Sequence, residues 1–490
     1  MSDTTLPAKK PPYGMIAVLM VGAFLTFLNN TLLNVALPSI MRDLNVSTAT
    51  VQWLQTGFML INGILVPTTA FLIQKFSVRH LFIVSMGLFV IGTLLAAIAP
   101  NFAILLTGRM TQGAGSAILM PVLMNVMLVS FPVERRGRAM GVFGLVMMGA
   151  PAIGPTLSGW IVEHFDWRTL FYMELPIAVA IFIAGSFMLK DKKDKNDLRL
   201  DLLSLALSTV GFGGLLYGFS SAGNHGWGHP LVYVPILAGA VSLVCFILRQ
   251  NRQEQPMLNF RIFRYPMYAL SAAITMVITM AMFSGMILFP VYVQTILGIS
   301  PMDAGLMMLP GALIMALMSP VTGRLFDRYG GRTLAVIGLT IMTATTWYFA
   351  HLTMNTGYTE LVAMFAVRML GMSMVMMPVA TNGLNQLPPR YYPHGTAMNN
   401  STQQVSGAIG TAFLVTVMSN RQAKYFQDAV REAGGSLAPE VLRQTQLEAM
   451  LGGINDAFFV ATIISAVALV LSFFIKRVRK QGEEPAGKTA

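Results

Sequence analysis

Apolar runs of about twenty residues recur from Met15 to Ile475, each long enough to cross a bilayer of ~30 Å. Backbone exposed to lipid must satisfy its own hydrogen bonds, which leaves helices or closed barrels. Runs this continuous lack the alternation of a barrel strand. The chain therefore reads as an all-α polytopic membrane protein. Only 11% of its residues are charged, where a soluble protein carries about a quarter. Inside the runs stand two charged side chains, Arg109 and Arg368, and no Asp or Glu lies in the middle of any run. An ionisable residue in hydrocarbon costs several kcal/mol and marks function by default.

Fourteen helices fit the runs, near 15–37, 51–73, 80–99, 102–128, 139–163, 170–189, 202–220, 231–248, 267–296, 304–326, 333–354, 359–384, 397–418 and 454–475. They divide into an N-terminal tail (1–14), a six-helix bundle (15–189) and a charged linker with helices seven and eight (190–266). A second six-helix bundle (267–475) and a C-terminal tail (476–490) follow. Residues 419–453 carry charges of both signs and read as an amphipathic hairpin outside the membrane. If both ends are cytoplasmic, the inner loops, tails and linker hold 25 of the 33 Lys and Arg, and the outer loops hold six. This is the positive-inside distribution. It accounts for the net charge of +12 without nucleic acid, and no nucleic-acid partner is expected. The first run lacks a small-residue cleavage site after it and reads as a retained helix. Cys245 is the only cysteine, so a disulfide within the chain and a cysteine metal cluster are excluded, and it reads as packing.

Two short patterns occur twice. Residues 106–113 (LTGRMTQG) resemble 365–371 (FAVRMLG), and 70–79 (AFLIQKFSVR) resemble 323–332 (GRLFDRYGGR). The offsets, 259 and 253 residues, nearly agree and argue for two related halves. Such repeats mark secondary transporters, whose substrate site lies at the repeat interface near the midplane.

The second copy, Gly323-x-Leu325-x-Asp327-Arg328-x-Gly330-x-Arg332, resembles the cytoplasmic gate of the major facilitator superfamily. Asp327 can accept charge-assisted hydrogen bonds from the arginines or from a neighbouring helix terminus. The first copy has Ala70, Gln74 and Ser77 where the superfamily has Gly, Asp and Gly. Arg109-x-x-Gln112-Gly113-x-Gly115 lies on helix four, and Gln112 is one turn from Arg109. The resemblance implies that Arg109 serves proton coupling; Arg368 reads as a relic of the repeat or a structural group. On helix five, Pro151-x-x-Gly154-Pro155-x-x-x-Gly159 resembles the antiporter motif of drug exporters, with Ser158 in place of one Gly. Prolines there would kink the helix and glycines would allow close contact.

Helix one reads Leu28-Asn29-Asn30-Thr31-Leu32-Leu33-Asn34-Val35-Ala36-Leu37-Pro38. This is similar to the signature of the fourteen-span drug:proton antiporters, the EmrB/QacA and lincomycin-resistance type. Trp167-Arg168-x-x-Phe171-Tyr172-x-x-x-Pro176, Gly226-Trp227, Pro290-Val291-Tyr292-Val293-Gln294 and Ala304-Gly305-x-x-x-x-Pro310-Gly311 extend the likeness over nearly all of the chain. Two positions depart from that family: Asn29 stands where most members have Asp, and Glu174 where Asn is usual. Asn cannot titrate. The nearest acids, Glu163, Glu174, Asp303 and Glu360, lie at helix ends and read first as solvated. Asp303 and Glu174 are the candidates to carry a proton from the outer vestibule if burial or an arginine shifts them.

Polar uncharged groups deep in the helices, Asn29, Asn34, Gln55, Asn62, Gln294 and Asn382, together with Tyr292, mark a candidate substrate cavity. The chain has 37 methionines, among them Met120, Met124, Met147 and Met148. Such side chains suit promiscuous apolar ligands. An acid-free pocket argues against strict selectivity for cations. There is no HExxH, nucleophile elbow or Gly-rich phosphate loop, so an enzyme is not expected. The resemblance implies a proton-coupled exporter of amphiphilic drugs in a bacterial inner membrane, working by alternating access with no cofactor beyond the proton gradient. It is expected as a monomer, with a periplasmic adaptor if the cell has two membranes. A flippase for lipid or envelope precursors, an exporter of an endogenous metabolite, and a transporter-derived sensor remain open on the same scaffold.

Overall fold

We describe residues 12–189, 201–432 and 439–476 of a computed structural model. The tails, most of the charged linker and the tip of the expected outer hairpin lie outside these residues. The described chain is helical, with no strand among the described residues.

The N-terminal group comprises α1 (Tyr13–Asp43), α2 (Thr48–Val51), α3 (Trp53–Leu65), α4 (Thr69–Lys75), α5 (Val78–Ala97), α6 (Phe102–Ser130), α7 (Arg136–His164) and α8 (Thr169–Met188). Next come α9 (Leu202–His225) and α10 (Pro230–Arg252). The C-terminal group comprises α11 (Pro266–Val291), α12 (Pro301–Tyr329), α13 (Gly331–Phe349), α14 (Tyr358–Ser373), α15 (Met376–Leu384), α16 (Tyr392–Glu432) and α17 (Pro439–Ser472). Capping residues fix several starts. The side chains of Ser77, Asn101, Asp201 and Ser300 accept from backbone amides at the heads of α5, α6, α9 and α12. Gly330, at φ 82°, makes the sharp turn between α12 and α13 that a side chain would strain.

Among the described residues twelve segments are long and apolar enough to cross a membrane, which makes this a multi-pass membrane protein. The expected count was fourteen. Expected helices eleven and thirteen form as α13 and α16 but are not among the twelve. In α16 the cause is visible in the run Asn399-Asn400-Ser401-Thr402-Gln403-Gln404. The expected second helix is broken into α3 and α4 by a tight turn at Val66–Thr68 that contains Pro67.

Glycines set how closely helices cross. A Cβ at Gly92 would sit 2.6 Å from the Gly108 carbonyl, and one at Gly371 would sit 2.8 Å from that of Gly338. The α5–α6 and α13–α14 pairs thus pack backbone to backbone in the two groups. Beside the groups, α9 and α10 form a hairpin. Tyr217 of α9 stacks on Trp53 of α3, and Trp227 donates to the Thr416 hydroxyl of α16 at 2.7 Å. Cys245, expected as packing, is exposed on α10. At ~60 Å, α16 is about twice the bilayer core, so its end must project. There Tyr425 donates to Asp456 of α17 at 2.9 Å and lies against Gly452, a helical pair where the amphipathic hairpin was expected.

Candidate functional site

The close α5–α6 crossing brings Thr93, Arg109 and Gln112 together, and α1 and α8 complete the cluster. Arg109 is 0% exposed. One guanidinium nitrogen donates to the Asn29 carbonyl and, at 2.8 Å, to that of Gln112; the other reaches Asn30 at 3.4 Å. Gln112 in turn donates to the Thr93 hydroxyl at 2.8 Å. The guanidinium lies 4.7 Å from the centre of the Phe58 ring, a cation–π contact. The amide of Asn29 donates to Glu174 Oε2. Asn29 thus bridges a buried cation and a buried carboxylate, accepting from one and donating to the other.

Glu174 was expected at a helix end near the outer vestibule. It is instead 1% exposed, inside α8 and turned towards α1. Its second oxygen, Oε1, is buried without a hydrogen-bond partner. That atom is where a proton can bind. Asp303, the other candidate acid, is exposed and pairs with Ser300 at the head of α12, away from Arg109. Arg368 is 1% exposed on α14, donates to the Ala281 carbonyl of α11 at 3.0 Å and lies 6.0 Å from the Phe349 ring centre.

Further along α1, the antiporter-like motif of α7 docks. Ser158 donates to the Leu32 carbonyl at 2.6 Å, and a Cβ on Gly154 would strike Thr31. Gly159 faces Met302 of α12. The helix continues through Pro151 and Pro155. So α7 stands between α1, which carries Asn29, and α12.

The other end of α7 meets the Gly323–Arg332 motif. Asp327 accepts from the backbone amides of Gly137 at 2.8 Å and Arg138 at 3.0 Å. These are orphan donors of the first turn of α7, where an anion is favoured. Of the two partners open in sequence, helix terminus and arginine, these bonds are to the helix terminus. Arg328 lies over Tyr329, and Arg332 is exposed. A Cβ at Gly323 would sit 2.9 Å from the Gly137 carbonyl carbon, so the two backbones touch. A void of about 10 Å³ remains between the helices, room for one water at most. The eroded first copy is also engaged: Gln74 meets His394 of α16 at 3.1 Å, and His394 accepts from the Asn259 amide at 3.2 Å.

The candidate cavity residues scatter. Asn62 accepts from Gln404 of α16 at 3.1 Å, joining the two groups, and Gln55 is half-buried. Met124 is core and Met120 packs beside it, in a cluster shared with Met398 of α16. Three of them are placed as follows. Tyr292 is buried and donates to the Thr353 carbonyl at 2.6 Å, because it anchors a π-turn at the end of α11. The same turn leaves Gln294 exposed. Asn382 reaches the Lys476 carbonyl, which puts it at the chain-end face. The side chain of Asn34 lies outside the described residues. The sequence reading missed Thr93, Phe58 and His394. Thr93 and Phe58 could have been found only by knowing which helices neighbour α6; His394 has no local signal.

Helices of this kind around a buried charge cluster, with two groups latched at one face, define a secondary transporter. The Major Facilitator Superfamily profile matches residues 19–411, and the chain belongs to that superfamily. It is therefore a transporter and not an enzyme. It is 46% identical to the MFS-type transporter YcnB of Bacillus subtilis over 470 residues, 96% of each chain. It is 42% identical to the lincomycin resistance protein LmrB of the same organism over 467 residues, 95% of this chain and 96% of that one. In fold it resembles the human organic anion transporter MFSD10, with a TM-score of 0.68, 13% identity, and coverage of 95% of this chain and 100% of that one.

Proposed function

We propose that this chain is a proton-coupled exporter of amphiphilic toxic compounds, an antiporter working by alternating access in a bacterial inner membrane. The observation that carries the coupling is the Glu174–Asn29–Arg109 chain. Glu174 is the proton carrier in this reading. Deprotonated, it holds the Asn29 amide, whose carbonyl holds Arg109. Protonation removes the anion that balances Arg109 and adds a donor at the carboxyl. Asn29 must then change partners, and α1 shifts against α6. Two and three residues on, Thr31 and Leu32 bear on α7, whose other end meets Asp327. A rearrangement at Asn29 therefore has a continuous path to the latch at the basic face.

The name of the lincomycin resistance relative supports drug export, and its near full-length match supports the same topology. We place α13 and α16 in the membrane as well, giving fourteen crossings arranged six, two and six. The chain ends and the Asp327 latch then face the cytoplasm. The α16–α17 extension faces outward.

The experiment is substrate-induced proton release from the purified protein, with lincomycin and a panel of amphiphilic dyes as probes. Wild type should release protons and Glu174→Gln should release none. Unchanged release from Glu174→Gln would remove the carboxylate from the mechanism. Translocation of fluorescent lipid in place of dye efflux would replace drug export with lipid flipping.

A further inference from the structure

The loop joining α10 to α11 holds a single turn of 3-10 helix, Phe260–Arg264. Its inner side is pinned. Ile262 is fully buried, Phe260 packs edge-on against Phe246 at 5.8 Å, and the Asn259 side chain caps the turn. Its outer side presents Arg261, Phe263 and Arg264, all exposed. With Asn251 and Phe260 these residues line an open cavity of about 410 Å³. Neither arginine makes a side-chain hydrogen bond or ion pair among the described residues. Arg249, nearby on α10, is by contrast taken up by Asp201 through bonds of 2.7 and 3.1 Å.

The cavity is the end of a stripe. Leu237, Val241, Val244 and Leu248 of α10 are each more than half exposed. Their spacing of four, three and four residues puts them on one helix face, and Asn251 is the next position on it. An apolar stripe at membrane depth thus runs into a pocket with two guanidinium groups and no acid in its lining. Guanidinium groups favour phosphate oxygens, and basic pockets at this depth suit acidic headgroups.

We propose that this pocket binds the headgroup phosphate of an anionic phospholipid, with the acyl chains along the α10 stripe. Arg261 and Arg264 clamp the phosphate, Asn251 donates to the headgroup, and Phe263 lies beside the glycerol. A zwitterionic choline lipid brings its own cation to the arginines and is disfavoured. The stripe favours a lipid over a soluble phosphate.

The test is native mass spectrometry of the full chain titrated with phosphatidylglycerol, phosphatidylcholine or glycerol 3-phosphate. Phosphatidylglycerol should be retained in preference to the other two. Arg261→Gln with Arg264→Gln should weaken it at least about tenfold. The unchanged thermal midpoint of that variant in phosphatidylcholine confirms folding; if the double variant does not fold, Arg264→Gln alone replaces it. Equal retention of both lipids, undiminished binding by the variant, or equally tight glycerol 3-phosphate would each overturn the assignment.

Discussion

Arg109 and Arg368 occupy corresponding places in the two helix groups, and the protein treats them differently. Each is buried, each faces a phenylalanine ring, and each lies on a helix that crosses its neighbour through glycine. Arg109, however, is linked through Asn29 to a carboxylate, whereas Arg368 donates to a backbone carbonyl, that of Ala281 on α11. The scaffold is repeated, but the amide bridge through Asn29 belongs to Arg109. At the basic face the asymmetry is reversed. There the C-terminal group supplies an anion, Asp327, to cap α7, and the corresponding segment of the N-terminal group supplies the neutral Gln74 to His394. A duplicated fold thus keeps one charged device for each task, placed in opposite halves.

The largest expected effects break the core side of this comparison. Arg109→Ala should lower pH-gradient-driven export in vesicles by at least about 100-fold, the scale of removing a buried charged partner worth ~3–5 kcal/mol. Moving the carboxylate tests the same point more finely. Asn29→Asp combined with Glu174→Asn shifts the acid one hydrogen bond towards Arg109, and it should retain export that Glu174→Gln alone loses. If the exchange is as inactive as Glu174→Gln, the site of the acid matters as much as its presence. On the other side, Arg368→Met removes the cost of burying a cation but leaves the Ala281 carbonyl without its donor, a loss of about 1–3 kcal/mol. Folded protein with a modestly lowered thermal midpoint, and export that falls far less than in Arg109→Ala, is expected. Loss of export there would make the two arginines functionally equivalent.

Much of this was legible in the sequence because bilayer physics writes long signals. The apolar runs marked where the long helices lie, though not the breaks between α3 and α4 or α14 and α15, and the repeat of Gly323–Arg332 and of Arg109 pointed to the gate and the buried cation. The unread part is lateral. A one-letter string does not say that residue 174 of α8 faces residue 29 of α1, so Glu174 read as a solvated acid although both positions were flagged as departures. The same gap hides that Asn382 reaches the Lys476 carbonyl and that Gln294 lies in the π-turn after α11. Of the two expected spans that fall short of the apolar criterion, α16 does so because its amide-rich run packs among helices and needs no apolar composition.

A smaller effect is expected at the Asp327 latch. Asp327→Asn keeps the shape but removes the charge that caps α7, a loss of about 1 kcal/mol. That is about a fivefold shift in the closed-to-open ratio, to be read as faster thiol labelling of a cysteine placed at Met377, which lines the void behind the latch, with export reduced only severalfold. An unchanged labelling rate would show that the Gly137–Gly323 backbone contact closes the face unaided.

The neutral counterpart of that latch makes the last and smallest prediction. Burial pushes His394 down from its ordinary 6.5 to about 4, so in the folded protein it stays uncharged. Gln74 and the Asn259 amide face it directly, with the Tyr391 ring tilted against it at 6.4 Å and no charged side chain among those partners. Unfolded, the ring takes a proton below about 6.5, and the unfolded state therefore binds more protons between that pH and 4. The stability of the His394 junction is fully present above 6.5 and is lost as the pH falls towards 4, by at most about 3 kcal/mol. Wild type should lose more thermal stability between about pH 7 and pH 5 than His394→Gln does. Identical pH profiles would show that the junction opens locally before the ring is protonated, and that Asp327 alone holds the face shut.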